Sequence, residues 1–251
     1  PARIADPQMN LVGEEFFFDR ARNLVWVDGS GTLKLPVTRD FDGKVLEVPT
    51  ELSVNWIDQM VFDGREARFT GRVHATTLDS VMRCQKMTVT MSERVSFQEE
   101  APDKQRPDVA TVLCQYNVEF SSHQMVQASL EEVRRARFAA FTFDNRSGRV
   151  EAQGPGYLTV WRRGQGKRAS LGPLGAAGAN QGMQTRQTGW EYIRIDFARD
   201  MIGNVKKKST VARGEVQVIY SPVDEPLAMV NLDRLPKDGG AISCDSIELI
   251  Q

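Results

Sequence analysis

The stretch that decides the architecture runs from Phe143 to Val160, FDNRSGRVEAQGPGYLTV. An earlier stretch, Phe18 to Leu35, FDRARNLVWVDGSGTLKL, follows the same plan. Each opens with Phe-Asp, places a Gly-x-Gly eleven residues later (Gly29/Gly31 and Gly154/Gly156), and follows it with Leu33 or Leu158. Every one of these pairs is separated by 125 residues. Two β-hairpins of one design, half a chain apart, indicate a tandem duplication. The chain then divides into a first copy, 1–109, and a second, 110–251, the latter with insertions at 164–189 and 222–238.

Outward from these hairpins the pattern stays β. Arg20-Ala21-Arg22-Asn23 reverses the chain, and Asp28-Gly29-Ser30-Gly31 is predicted to turn it again, glycine supplying the positive φ of a tight turn. Residues 1–14 carry little pattern. Leu52, Val54 and Trp56 alternate with polar neighbours, as in a half-buried strand. Phe69 and Val73 share one side of the next strand, and Met87, Val89 and Met91 alternate along the one after. Gln98 to Asp108, charged and with two prolines, reads as a solvated connection.

In the second copy, Ser129 to Arg137 is readable as helix or strand. Residues 164–189, rich in Gly, Ala and Gln, are predicted to form a mobile loop. Ile193, Ile195 and Phe197 face one way in a strand that answers Trp56 to Phe62. Arg213 to Tyr220 answers Thr70 to Val73, and Cys244 falls where Cys84 falls. Many short strands with Gly, Asp and Asn turns give an all-β sandwich, jelly roll or barrel-like fold with little or no helix.

Composition sets outer bounds. The 251 residues suffice for one large β domain or two small ones. A net charge of −1 gives no reason to expect nucleic acid or another polyanion. The three cysteines, Cys84, Cys114 and Cys244, read first as buried small hydrophobes, with a disulfide or metal site as alternatives that no CxxC spacing supports. His74 and His123 stand 49 positions apart without metal-ligand spacing. Asp19 and Asp144, at equivalent positions, are expected to bond their own turn backbones rather than act as a catalytic pair. No serine nucleophile elbow or phosphate-binding glycine loop is present. The chain is therefore read as non-enzymatic, with no cofactor and no metal.

The apolar strand, the Phe-Asp turn, the Gly-x-Gly and the later pair Gly71-Arg72-Val73 with Cys84-Gln85-Lys86-Met87-Thr88-Val89 resemble the OstA-like module of lipopolysaccharide-transport proteins. The units are Ala67 to Met91, Phe138 to Val160 and Arg213 to Ile250. The resemblance implies a tandem β-jellyroll, open along one side like a folded taco, in the periplasm or cell envelope of a double-membraned bacterium. Its partners would be lipopolysaccharide or another amphiphilic lipid, and other β-jellyroll envelope proteins docked through edge strands. The residues placed to line such a groove are Phe69, Val73, Met82, Met87, Val89, Met91, Ile193, Ile195, Phe197, Val216 and Val218. Their plainer reading is a closed core. The four tryptophans read as core or rim packing, and Lys206 to Lys208 as a solvated loop. The alternative function is a structural or adhesive scaffold that binds protein or glycan through its edges.

Overall fold

The computed structural model describes residues 2–6, 9–39, 45–96, 108–164, 189–207 and 209–250. Among them there is no helix. The strands are β1 (Ala2–Asp6), β2 (Met9–Asp19), β3 (Leu24–Arg39), β4 (Val45–Trp56), β5 (Gln59–Phe62), β6 (Glu66–Thr76), β7 (Ser80–Met91) and β8 (Val109–Val126). They continue as β9 (Ser129–Asp144), β10 (Arg149–Gln153), β11 (Gly156–Arg163), β12 (Trp190–Phe197), β13 (Asp200–Asn204), β14 (Ser209–Val223) and β15 (Gly240–Ile250). All fifteen join one antiparallel sheet. The all-β expectation holds, and Ser129 to Arg137, readable either way in sequence, is part of the strand Ser129–Asp144. The two halves share this sheet through the β7–β8 pairing.

The glycine pairs do something other than reverse the chain. Gly29 and Gly31 lie inside the sixteen-residue strand β3. Gly154 and Pro155 interrupt β10 and β11, but both of these pair with β9, at Ala140–Asp144 and at Glu132–Arg137. Within these two stretches, the hairpins are at the Asp19–Leu24 and Asp144–Arg149 ends. The opening residues, read as patternless, are strands β1 and β2. The connection at 97–107, the loop at 165–188 and Lys208 lie outside the described residues; the neighbouring Lys206 and Lys207 are exposed in a turn.

A line of irregularities crosses the sheet. It runs through the register breaks Gly13/Glu15, Thr70/Val73, Arg83/Lys86, Gln115/Val118 and Arg213/Val216, and through the gaps between β4 and β5, β10 and β11, and β12 and β13. Left-handed backbone marks the same line at Gly29, Gly71, Arg72, Tyr116, Asn117, Gly214 and Glu215. Bulges aligned at one level bend the strands that carry them, which creases the sheet along this line.

The crease leaves six segments, β9, β10, β13, β14, β12 and β11, linked in a closed ring of pairings that is barrel-like in connectivity. Its walls are continuous strands broken only at the fold line. β8 covers one edge of β9 while β10 and β11 share the other, and β15 covers one edge of β14 while β13 and β12 share the other.

Pairings recur between the halves. Leu11 faces Leu33 and Ala136 faces Leu158; Asp19 faces Leu24 and Asp144 faces Arg149; all four shifts are 125 residues. Val73 faces Cys84 as Val216 faces Cys244. One correspondence differs from expectation. Gly31 faces Trp56 and Gly156 faces Phe197, so Trp190–Phe197 stands where residues 49–56 stand, and β13 answers β5.

Candidate functional site

Alternation in a strand sends every second side chain to one face. Followed through the pairings, one row on the inner face reads Leu11, Leu33, Val54, Ala75, Met82, Phe120, Ala136, Leu158, Ile195, Val218, Ile242. Across the crease a second row reads Phe16, Val27, Met60, Phe69, Met87, Cys114, Phe141, Ala152, Met201, Ala212, Ile247. Neither row contains a polar side chain over eleven strands. Both contribute to one buried cluster that spans the two halves. Among the described residues no helix covers either row, and residues of both are buried in that one cluster.

The outer row next to the first is polar: Thr32, Asn55, His74, Arg83, Glu119, Arg137, Tyr157, Asp196, Gln217, Ser243. The Thr32 hydroxyl donates to Asn55 Oδ1 at 2.7 Å, and Arg194 forms a bidentate pair with Asp196 and stacks on Tyr157 at 4.3 Å. A wall with one greasy and one wet side separates an apolar interior from solvent.

Ten of the eleven sequence-predicted candidates belong to the buried interior; Met91, past a register shift at the end of its strand, does not. Val73, Phe197 and Val216 sit at the crease; Met82, Ile195 and Val218 lie on the first wall; Phe69 and Met87 lie on the second. All eight are buried, at 1–4% exposure. Val89 and Ile193 are half-buried against this interior, one residue pair further from the crease on opposite walls. Met91, half-buried, ends β7 opposite Val109. The ten candidates other than Met91 thus belong to one apolar cluster. Sequence reasoning missed Ala75, Ala136, Ala152 and Ala212, whose small side chains give no strong hydrophobic signal; only the pairing register places them.

Two depressions of about 530 and 340 Å³ lie on the outer side of the crease. They occupy equivalent places: Arg137, Phe138, Gly156, Tyr157, Asp196 and Phe197 in one, Val12, Gly13, Gly31, Thr32, Asn55 and Trp56 in the other. A strand glycine lines each and is needed for close approach, since a Cβ at Gly31 would clash with Trp56 and one at Gly156 with the Arg137 carbonyl oxygen.

Trp161, Trp190, Tyr192 and Ile219 form a second buried cluster on the outer face. The segment read as an insertion, 222–238, lies over it with Val230 and Leu235, and the Trp161 indole N–H donates to the Ala228 carbonyl at 3.2 Å. Trp56 is core, and its indole N–H donates to the Gly29 carbonyl. Trp26 stacks on exposed Phe17 with ring centroids 4.9 Å apart.

Among the described residues, no three His, Cys, Asp or Glu side chains converge as metal ligands would. Asp19 accepts the Arg22 N–H at 2.9 Å and Asp144 the Ser147 N–H at 2.8 Å, each closing its own turn as expected. The hydrogen bond from the Ser147 N–H holds the Asp144 carboxyl below its ordinary range. Burial, then Arg83, lowers the His74 pKa, and its buried Nε2 has no hydrogen-bond partner among the described residues. No described helix is long and apolar enough to cross a membrane. No family model, curated protein or solved structure matches the chain.

Proposed function

We propose that the chain is a non-enzymatic cell-envelope protein of the lipopolysaccharide-transport kind, built as two tandem jellyroll copies folded like a taco. It binds or passes an amphiphile whose tails lie in the creased interior. The observation that carries this reading is the pair of unbroken apolar rows facing each other across the crease through both halves. With strands about 4.8 Å apart, eleven strands make a trough roughly 50 Å long, room for acyl chains laid along it. Tails enter the dry interior between the lips near Val89 and Ile193, and a polar head stays in water. The partners would be lipopolysaccharide or another amphiphilic lipid, and other β-jellyroll envelope proteins that add strands to the end strands β1 and β15. The location would be the periplasm.

Val89 tests this reading because it is half-buried near a lip rather than deep in the core. A folded Val89→Arg variant is expected to lose capture of a radiolabelled or fluorescent lipopolysaccharide. Unchanged capture by that variant would remove the trough from the account.

A second reading is favoured by one observation: the interior is already filled, with Phe69, Val73 and Val216 each 1% exposed. A scaffold with a closed core would use only its edge strands to bind protein or glycan. It takes up no lipid and self-associates with rising concentration.

A further inference from the structure

The larger outer depression, about 530 Å³, lies at the crease of the second half, where the chain breaks between β10 and β11 and between β12 and β13. Its size is that of a small-ligand site. Phe138, Pro155 and Phe197 give it an apolar side. Gly156 packs directly on both rings, since a Cβ there would lie 3.2 Å from Phe138 Cδ1 and 3.1 Å from Phe197 Cζ. The polar lining is Asn117, Arg137, Tyr157, Asp196 and Glu215. Asp196 is already neutralised: Arg194 donates to both of its oxygens, at 2.8 and 2.7 Å, and stacks on Tyr157. Arg137 differs. It is exposed and has no ion pair among the described residues, although Glu119 stands opposite it on β8. A guanidinium without a carboxylate partner, beside an apolar hollow, suits an anion with an apolar body.

The duplication supplies an internal comparison. In the smaller depression Val12 stands where Arg137 stands and Thr32 where Tyr157 stands, each 125 residues earlier. By pairing, Asn55 takes the place of Asp196. The one charged side chain in that lining is Glu14, which accepts the Ser30 hydroxyl at 2.7 Å. Equivalent places in the fold thus carry a cation in the second half and none in the first.

We propose that the larger depression binds a small organic anion, a carboxylate carried on an aromatic ring or a short apolar chain. Arg137 takes the carboxylate through two parallel N–H donors. The Tyr157 hydroxyl and the Asn117 amide are the further donors of the lining. The apolar body lies against Phe138, Pro155 and Phe197. Glu215, also in the lining and exposed, opposes the anion and sets how tightly it is held. The site lies on the outer side of the wall, so it operates whether or not the interior holds a lipid.

The test is titration of the isotope-labelled full chain with benzoate, followed through its backbone amide resonances. Benzyl alcohol and benzamidinium serve as uncharged and cationic controls on the same ring. Benzoate should give saturable shifts centred on Gly156, Tyr157, Phe197 and Ala198 and leave Val12, Gly31 and Thr32 unmoved, and neither control should saturate. Arg137→Gln should weaken benzoate by about tenfold or more, the usual loss of a charged hydrogen-bond partner, and Glu215→Gln should tighten it. Should Arg137→Gln fail to fold, the contrast between benzoate and benzamidinium and the Glu215→Gln variant decide. No saturable shift with benzoate, equal shifts with either control, shifts centred on the smaller depression or the interior, or a benzoate affinity that Arg137→Gln leaves unchanged would each overturn the proposal.

Discussion

The Trp56 ring fills the space that a side chain at Gly31 would need: a Cβ there would lie 2.3 Å from Trp56 Cζ2. Gly31 has no left-handed backbone to excuse it, so its requirement is steric. Gly31→Ala should cost about 2 kcal/mol, the usual cost of overpacking a filled core. Chemical denaturation measures it. The double variant Gly31→Ala with Trp56→Leu should recover part of the loss, because the clash is with that ring.

At the centre of the crease, Tyr116 has φ 65° and Asn117 has φ 53°. Their counterparts in the other bulges place glycine first, at Gly71 and Gly214. Tyr116 is 61% exposed, so little packing rewards the strain. Tyr116→Gly should raise stability by up to about 1 kcal/mol, strain relief of roughly 1–2 kcal/mol offset by the greater entropy of an unfolded glycine. Gly71→Ala should do the opposite, since a Cβ there meets the Asp58 backbone nitrogen at 2.6 Å. Thermal melts of the two variants, shifting in opposite directions, check the pair.

His74 makes stability depend on pH. Burial and Arg83 lower its folded pKa below the ordinary value of 6.5, so the unfolded chain binds the proton more readily. Its contribution is complete above about pH 6.5 and is lost as pH falls toward the lowered folded value. Urea midpoints taken between pH 7.5 and 5 should fall with acidification. His74→Gln should flatten that part of the curve, and an unchanged slope in the variant would assign the effect elsewhere.

The outer-face cluster depends on residues 224–239. Leu235 packs on Trp161 and its neighbours, and Leu235→Ala should cost about 2 kcal/mol, at the low end for a leucine truncation because the side chain is only half-buried. Tryptophan emission should shift to the red as water reaches Trp161 and Trp190. A blue or unmoved spectrum would mean the segment does not shield them.

What the sequence made legible was local. Met87, Val89 and Met91 announce a strand by alternation, and Asp19 and Asp144 announce their turns by spacing. Gly29 misled because left-handed φ is needed equally in a reversal and in a bulge; only the partner strand tells them apart, and that partner is distant in sequence. Met9–Val12 carry little alternation of their own and are strand because Leu11 meets Leu33. The eleven candidates were visible as apolar strand positions. The placing of five of them in two rows and three at the crease between was not, because it depends on the crease, and the crease depends on bulges whose alignment no single strand encodes.

The central claim is that this interior takes the tails of an amphiphile. Native mass spectrometry of the chain purified gently from a double-membraned bacterial host, followed by lipid analysis, tests it most directly. The expected result is a stoichiometric amphiphile that remains bound in the gas phase and is released on denaturation, and that the Val89→Arg variant lacks. A clean apo mass that stays apo after incubation with lipopolysaccharide would contradict the claim and leave the closed scaffold with its edge strands.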